Sequence, residues 1–262
     1  MTKRWDKYSA WFTPPDVAEQ GCWAAAQVGV SPETVIDLGA GAGSILSRAP
    51  HVWPRAHLAA LEIREEERPH LDRWAHEVVI GDFREVVNLG LDCGGGGPRL
   101  LIGNPPYGAS DDDEADDLTT QALHWGFRVL SPGDWILFLL RKSYEEGEAA
   151  SHFFSPASEG GRSPLCDFRV QGRAQFRRGV NAAGNRLSGD FIGHRWVLWR
   201  VGVHPQFWKS AALPPLPSSS LSYAIRPGTE LVAGKLHEGL RPRFPELAEV
   251  SALLPDGGSR TA

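Results

Sequence analysis

The chain has 262 residues, 42% of them hydrophobic and 23% charged. That balance suits a folded domain with a sizeable core and excludes a disordered or fibrous chain. The formal net charge of −5 argues at first against a polyanionic partner, but its distribution argues the other way. Residues 1–161 carry 13 Lys and Arg against 25 Asp and Glu, residues 162–209 carry 9 against 2, and residues 210–262 carry 5 against 5. One compact segment is therefore at +7 inside an acidic protein. Two readings stay open there: an electrostatic footprint for nucleic acid, or a face of arginines packed over their neighbours.

No apolar run is long enough for a membrane-spanning helix, and no apolar leader follows Met1 to Asp6. Cys22, Cys93 and Cys166 are far apart and odd in number, which argues against a disulfide framework. The nine histidines have no metal-ligand spacing. A cytoplasmic protein with no membrane partner and no metal is the expectation.

Along the chain, 16–28 reads as a helix. Apolar runs follow at 34–38, 57–62, 77–82, 99–104 and 135–140, with amphipathic helices expected at 65–75 and 118–130. Strands this apolar, separated by helix-length segments, predict a buried parallel sheet. Two more strands are expected at 165–170 and 195–201, with a glycine- and arginine-rich loop between them. From 205 to 227 the chain is rich in Pro and Ser, which reads as linker chemistry. The expected organisation is a domain over 1–203, with a basic segment at 162–200, and a linker plus extension over 204–262.

The first strand leads into Asp37-Leu38-Gly39-Ala40-Gly41-Ala42-Gly43, expected to open a helix. Glycines are needed where backbone turns tightly and a ligand comes close. Glu62 ends the next strand, about where ribose-binding acids stand in nucleotide sites. The spacing is Gly-x-Gly-x-Gly, and a carboxylate stands two residues before the first glycine. A pyrophosphate would be repelled there, whereas a cationic, amine-bearing ligand would be favoured. S-adenosylmethionine fits better than a dinucleotide. Asp82-Phe83 ends the third strand, where a carboxylate can accept adenine amino hydrogens and a ring can pack on the adenine face.

The sharpest feature is Asn104-Pro105-Pro106-Tyr107 at the end of the fourth strand. Two prolines fix two φ angles and remove two donors, and Asn104 before Pro105 is driven out of helical space. The Asn104 amide oxygen and the Pro105 carbonyl can both accept hydrogen bonds from one amino group. That would aim the nitrogen lone pair at a sulfonium methyl, and positioning then supplies most of the catalysis. Tyr107 would stack on the ring bearing the amino group.

On these residues the chain resembles the amino-methylating S-adenosylmethionine-dependent methyltransferases, and most closely the DNA adenine-N6 methyltransferases. The likeness runs over roughly residues 8–201. It implies a Rossmann-like α/β fold: a seven-stranded, mainly parallel sheet with one antiparallel strand and helices on both faces. It implies S-adenosylmethionine held by Asp37, Gly39, Gly41, Glu62, Asp82 and Phe83, and catalysis by Asn104, Pro105, Pro106 and Tyr107. Upstream, Trp11-Phe12-Thr13-Pro14-Pro15 resembles the segment that caps the methionine end of the cofactor in this family, so Phe12, Thr13 and Pro14 join the cofactor set. The family flips its target base out of the duplex, and Phe176 stands about where a second stacking aromatic is expected, with core packing the alternative.

The expected partner is DNA, with RNA possible. Arg173, Arg177, Arg178 and Arg186 are candidate phosphate contacts. No large target-recognition segment is visible, which implies a short or loose recognition sequence. The acidic run 111–117 reads as a solvated loop entering a helix. Enzymes that methylate glutamine amides share the Asn-Pro-Pro-Tyr turn. A nicotinamide oxidoreductase would leave that turn without a role, and a non-catalytic nucleic-acid binder would leave the pocket unexplained.

Overall fold

The structure is a computed structural model and describes residues 12–86, 97–107, 117–156, 158, 161–172, 174, 176, 193–217, 236, 238–244 and 247. In chain order the elements are α1 Pro15–Gln27, β1 Thr34–Leu38, β2 His57–Glu62, α2 Arg68–Leu71, β3 Glu77–Ile80, β4 Arg99–Gly103, α3 Leu118–Val129, β5 Trp135–Arg141, α4 Glu148–Ser151, β6 Cys166–Arg169, β7 His194–Arg200 and β8 Lys209–Ala212.

The strands form one sheet in the order β3-β2-β1-β4-β5-β7-β6-β8. β1 pairs in parallel with both β2 and β4, so the chain winds outward in one direction and then restarts on the other side of β1. Open α/β sheets bind ligands beyond the strand ends at such a switch point. β7 runs against both of its neighbours.

Alternation along the central strands divides the core into two layers. Val35, Ala60, Ile102 and Leu137 face one layer with Val17, Ala18 and Cys22 of α1. Ile36, Leu61, Leu101 and Phe138 face the other with Ala122, Leu123 and Trp125 of α3. Both faces of the sheet are covered, which is why these strands are near-continuous apolar runs. Gly21 lets α1 touch the sheet, since a Cβ there would lie 2.4 Å from Trp196 Cε2. The Trp196 indole N–H donates to the Val17 carbonyl at 3.2 Å.

Three expectations are corrected. The sheet has eight strands, not seven. The added one, β8, lies within the stretch expected to be linker and pairs in parallel with β6. Buried Asp167 recruits it by accepting from the Ser210 hydroxyl at 2.8 Å and the Trp208 indole at 3.3 Å. Leu213, Leu216, Leu236, Phe244 and Leu247 then pack into the α1-side core. The helix expected over 65–75 is a 3-10 turn at Glu65–Glu67 and one α turn at Arg68–Leu71. Pro69 has no N–H to continue a ladder upstream and sits in the first turn instead. The glycine loop does not open an α-helix. Residues 41–48 form turns carrying isolated helical bonds, Ser47 N–H to Gly43 and Ala49 N–H to Ile45, and a 3-10 turn follows at Ala49–His51. Three left-handed glycines within five residues interrupt a regular ladder.

Candidate active site

The carboxyl ends of β1 and β4 meet at the switch point. Leu38 is in register with Gly103, and a Cβ at Gly103 would lie 2.5 Å from the Leu38 carbonyl oxygen, so the strands leave together only because residue 103 is glycine. Beyond it, the Gly39, Gly41 and Gly43 φ angles are +69°, +58° and +79°, a left-handed run that favours glycine at each step. The nearest atom to a Cβ at Gly39 is the Asn104 carbonyl oxygen, 4.0 Å away. The loop and the Asn-Pro-Pro-Tyr turn are therefore adjacent walls.

Glu62, at the end of β2, is drawn to the loop: the Gly41 N–H donates to its Oε2 at 2.7 Å. Its Oε1 accepts from the backbone and Nε of Arg64 at 3.0 and 2.9 Å. The Arg64 guanidinium lies 5.1 Å from the centre of the Phe12 ring, and a Cβ at Gly41 would come within 3.2 Å of that ring. Thr13 is held by its carbonyl, which accepts from the Ser44 hydroxyl at 2.5 Å. Pro14 caps α1 in an extended conformation. The 12–14 segment thus forms a lip against the glycine loop.

Asp37 is buried, and among the described residues neither of its carboxylate oxygens has a hydrogen-bond partner. Burial, and then the Glu62 carboxylate, push its carboxyl well above the ordinary range. Asn104 is also buried, and its Oδ1 likewise has no partner among the described residues. Native interiors rarely leave such atoms unmatched. The rest of the turn is braced from outside. The Thr119 hydroxyl of α3 donates to the Pro106 carbonyl at 2.8 Å, and the Tyr107 hydroxyl donates to the Leu139 carbonyl of β5 at 2.7 Å. Arg141 stacks on the Tyr107 ring at 4.5 Å.

Two expected ligand groups are engaged within the protein. Asp82 accepts from the Arg84 backbone N–H at 2.9 Å and from its guanidinium at 2.7 Å. Burial alone would raise the Asp82 carboxyl, but these bonds outweigh it and hold it below its ordinary value. Phe83 sits edge-on to Trp125, with ring centres 5.9 Å apart. Phe176 is not at a surface. It is buried in the α1-side core, 4.3 Å from the His194 ring, and its carbonyl accepts from the Phe12 N–H at 2.5 Å. Its observed part is to anchor the lip, and the base-stacking expectation has no support in that placement.

Arg173, Arg177, Arg178 and Arg186 lie outside the described residues, as do 111–116 of the acidic run. Asp117, which ends that run, caps α3 by accepting from the Thr120 N–H at 2.7 Å. Within 162–209, Arg162 stacks on Phe127, Arg200 stacks on Trp135, and Arg195 is buried against Glu145 and Asp167. Part of the +7 charge is therefore packing. Among the described residues no group of three or more His, Cys, Asp or Glu is arranged to hold a metal, and no helix is long and apolar enough to cross a membrane. Cys22 and Cys166 are buried free thiols.

Sequence reasoning did not anticipate Arg64, Ser44 or Thr119. Arg64 had a local signal, standing two residues beyond the ribose-type acid. Thr119 and Ser44 had none, because their partners come from distant segments.

The groups present suit a ligand with an adenosyl half and a cationic half. Asp37 offers an unmatched carboxylate, Asn104 an unmatched acceptor, and the left-handed glycines a backbone surface free of Cβ atoms.

No family model matches this chain, and no curated protein does. Solved structures do. A protein from Listeria monocytogenes described as a class I S-adenosylmethionine-dependent methyltransferase aligns over 81% of this chain and 69% of its own, at 14% identity and a TM-score of 0.57. One from Pyrococcus horikoshii described as an RNA methyltransferase aligns over 74% of this chain and 88% of its own, at 17% identity and a TM-score of 0.50. The M protein of the type I restriction enzyme EcoKI aligns over 82% of this chain but 51% of its own, at 13% identity and a TM-score of 0.51. The shared property at these identities is the fold, and its solved examples include class I S-adenosylmethionine-dependent methyltransferases.

Proposed function

We propose that the protein transfers the methyl group of S-adenosylmethionine to the exocyclic N6 amino group of adenine in DNA, acting on a base turned out of the duplex. The observation that carries the reading is the buried Asn104 Oδ1, without a partner among the described residues, on a proline-fixed turn beside the glycine loop at the switch point. An acceptor in that position suits a planar amino group.

The cofactor supplies an electrophilic methyl on a sulfonium with a good leaving group. Asp37 faces its cationic end, Glu62 its ribose hydroxyls, and the lip Phe12-Thr13-Pro14 covers its methionine half. Asp82 and Phe83 border the adenine, which requires the Arg84 contact to be shared or exchanged. Asn104 Oδ1 and the Pro105 carbonyl accept the two amino hydrogens and turn the nitrogen lone pair inward. The nitrogen gains the methyl and releases a proton to water, so no strong base is needed before transfer. Tyr107, fixed by Leu139 and backed by Arg141, presents its other ring face to the base. The arginine-rich segment within 162–200 contacts phosphates through Arg173, Arg177, Arg178 and Arg186.

The fold also occurs in a protein described as an RNA methyltransferase, so the test separates acceptors. Methyl-labelled S-adenosylmethionine is incubated with the protein and, separately, duplex DNA, RNA and a protein extract, and the modified nucleoside or residue is identified. N6-methyladenine in DNA is the expected product. Label in RNA alone would move the acceptor, label in protein alone would refute the nucleic-acid reading, and no label with no cofactor binding would reject methyl transfer.

A further inference from the structure

We infer that Arg64 is a positioning residue of the cofactor pocket: it orients the Glu62 carboxylate and joins it to the lip through the Phe12 ring. The inference rests on the methyl-transfer reading for the identity of the ligand.

The surroundings of Glu62 are acidic. Asp37 on β1 feels the Glu62 carboxylate, and both are buried. Arg64 faces Glu62, Glu66 and Glu67, donating to Glu62 at 2.9 Å and pairing with Glu67 at 3.2 Å. These acids hold its guanidinium above its ordinary value although burial, the largest influence, opposes them. Its side chain is only 12% exposed. The position is thus a largely enclosed cation serving several carboxylates.

Arg64 fixes which oxygen of Glu62 is used where. It engages Oε1, leaving Oε2 to the Gly41 N–H, so the carboxylate plane is set before any ligand arrives. The stacked Phe12 ring makes the lip part of the same unit.

The test measures binding of S-adenosylhomocysteine by calorimetry for the full chain and the variants Arg64→Met, Arg64→Lys, Glu62→Gln and Arg64→Met with Glu62→Gln. Arg64→Met is expected to bind on the order of 10-fold weaker. Arg64→Lys should recover most of the affinity, because it restores a charged donor. In the Glu62→Gln background, Arg64→Met should add little further loss, since Arg64 acts through that carboxylate. Equal binding by Arg64→Met, an equally large deficit in Arg64→Lys, or losses that simply add in the double variant would overturn the assignment and leave Arg64 a packing residue. If Arg64→Met does not fold, Arg64→Gln, alone and with Glu62→Gln, carries the same comparison. Absence of binding by the unsubstituted protein would reject the methyl-transfer reading itself, which is a separate result.

Discussion

The Tyr107 hydroxyl donates to the Leu139 carbonyl at 2.7 Å, tying the turn after β4 to the neighbouring strand β5. The bond fixes the ring plane that Arg141 covers on one side. Tyr107→Phe keeps the ring but frees it to tilt. Stability should fall by about 1 kcal/mol, the usual net value of one hydrogen bond, read as a shift in denaturant midpoint. Turnover should fall several-fold more than cofactor affinity, because the role proposed for the ring is to stack on the acceptor. A variant with unchanged turnover would remove Tyr107 from acceptor positioning.

Asn104→Ala removes the unmatched acceptor and leaves the proline geometry in place. Methyl transfer should drop by on the order of 100-fold or more, as expected when a reacting group loses its alignment. S-adenosylhomocysteine affinity should change little. A parallel loss of cofactor binding would assign Asn104 to the cofactor instead.

Asp37 has its carboxyl raised in the fold by burial and by Glu62. Its unfolded value is near ~3.9. A carboxyl raised by folding is unpenalised below the unfolded value, and the fold loses stability as pH climbs from there through the folded value. Asp37→Asn cancels that loss. The ligand-free variant should therefore gain stability relative to the unsubstituted protein above about pH 4, with a gap that widens as pH rises, while binding the cationic ligand more weakly. Urea unfolding at several pH values checks this, and a gap independent of pH would contradict it.

Glu19 is a buried hub on α1. It accepts from the Leu236 N–H at 3.0 Å, from Arg48 at 3.2 Å and pairs with His51 at 3.0 Å. Next to it, the Gln20 amide donates to the Pro214 and Leu240 carbonyls. The C-terminal segment is thereby fastened to the helix that carries the lip. Glu19→Ala leaves buried Arg48 with only the longer Asp16 contact at 3.6 Å and should destabilise the fold, by less than the roughly 3–5 kcal/mol of a fully unpaired buried charge. Truncation after residue 217 should lower the unfolding temperature. A truncated chain as stable as the full one would show that these contacts contribute nothing measurable.

Much of the architecture was legible in the linear chain. The runs at β1, β2, β4 and β5 were readable because strands buried on both faces must be apolar throughout, and the helices α1 and α3 because their apolar periodicity is strong. β8 was not legible, since Lys209–Ala212 is a short edge strand with no hydrophobic pattern, recruited by Asp167 of the adjacent strand β6. Nor was the loss of the helix after the glycine loop, which the left-handed φ angles decide.

The same division runs through the site and returns to Tyr107. The Asn-Pro-Pro-Tyr turn and the glycine loop are local devices: proline rings and missing Cβ atoms constrain backbone wherever they occur, so the sequence by itself determined that a rigid acceptor and an open cradle exist. Only the tertiary structure decided what braces them. Leu139 and Thr119 reach the turn from a neighbouring strand and a distant helix, Ser44 fastens the loop to Thr13, and Phe176 is core. Those contacts depend on which segments the switch point brings side by side, and no local pattern encodes that.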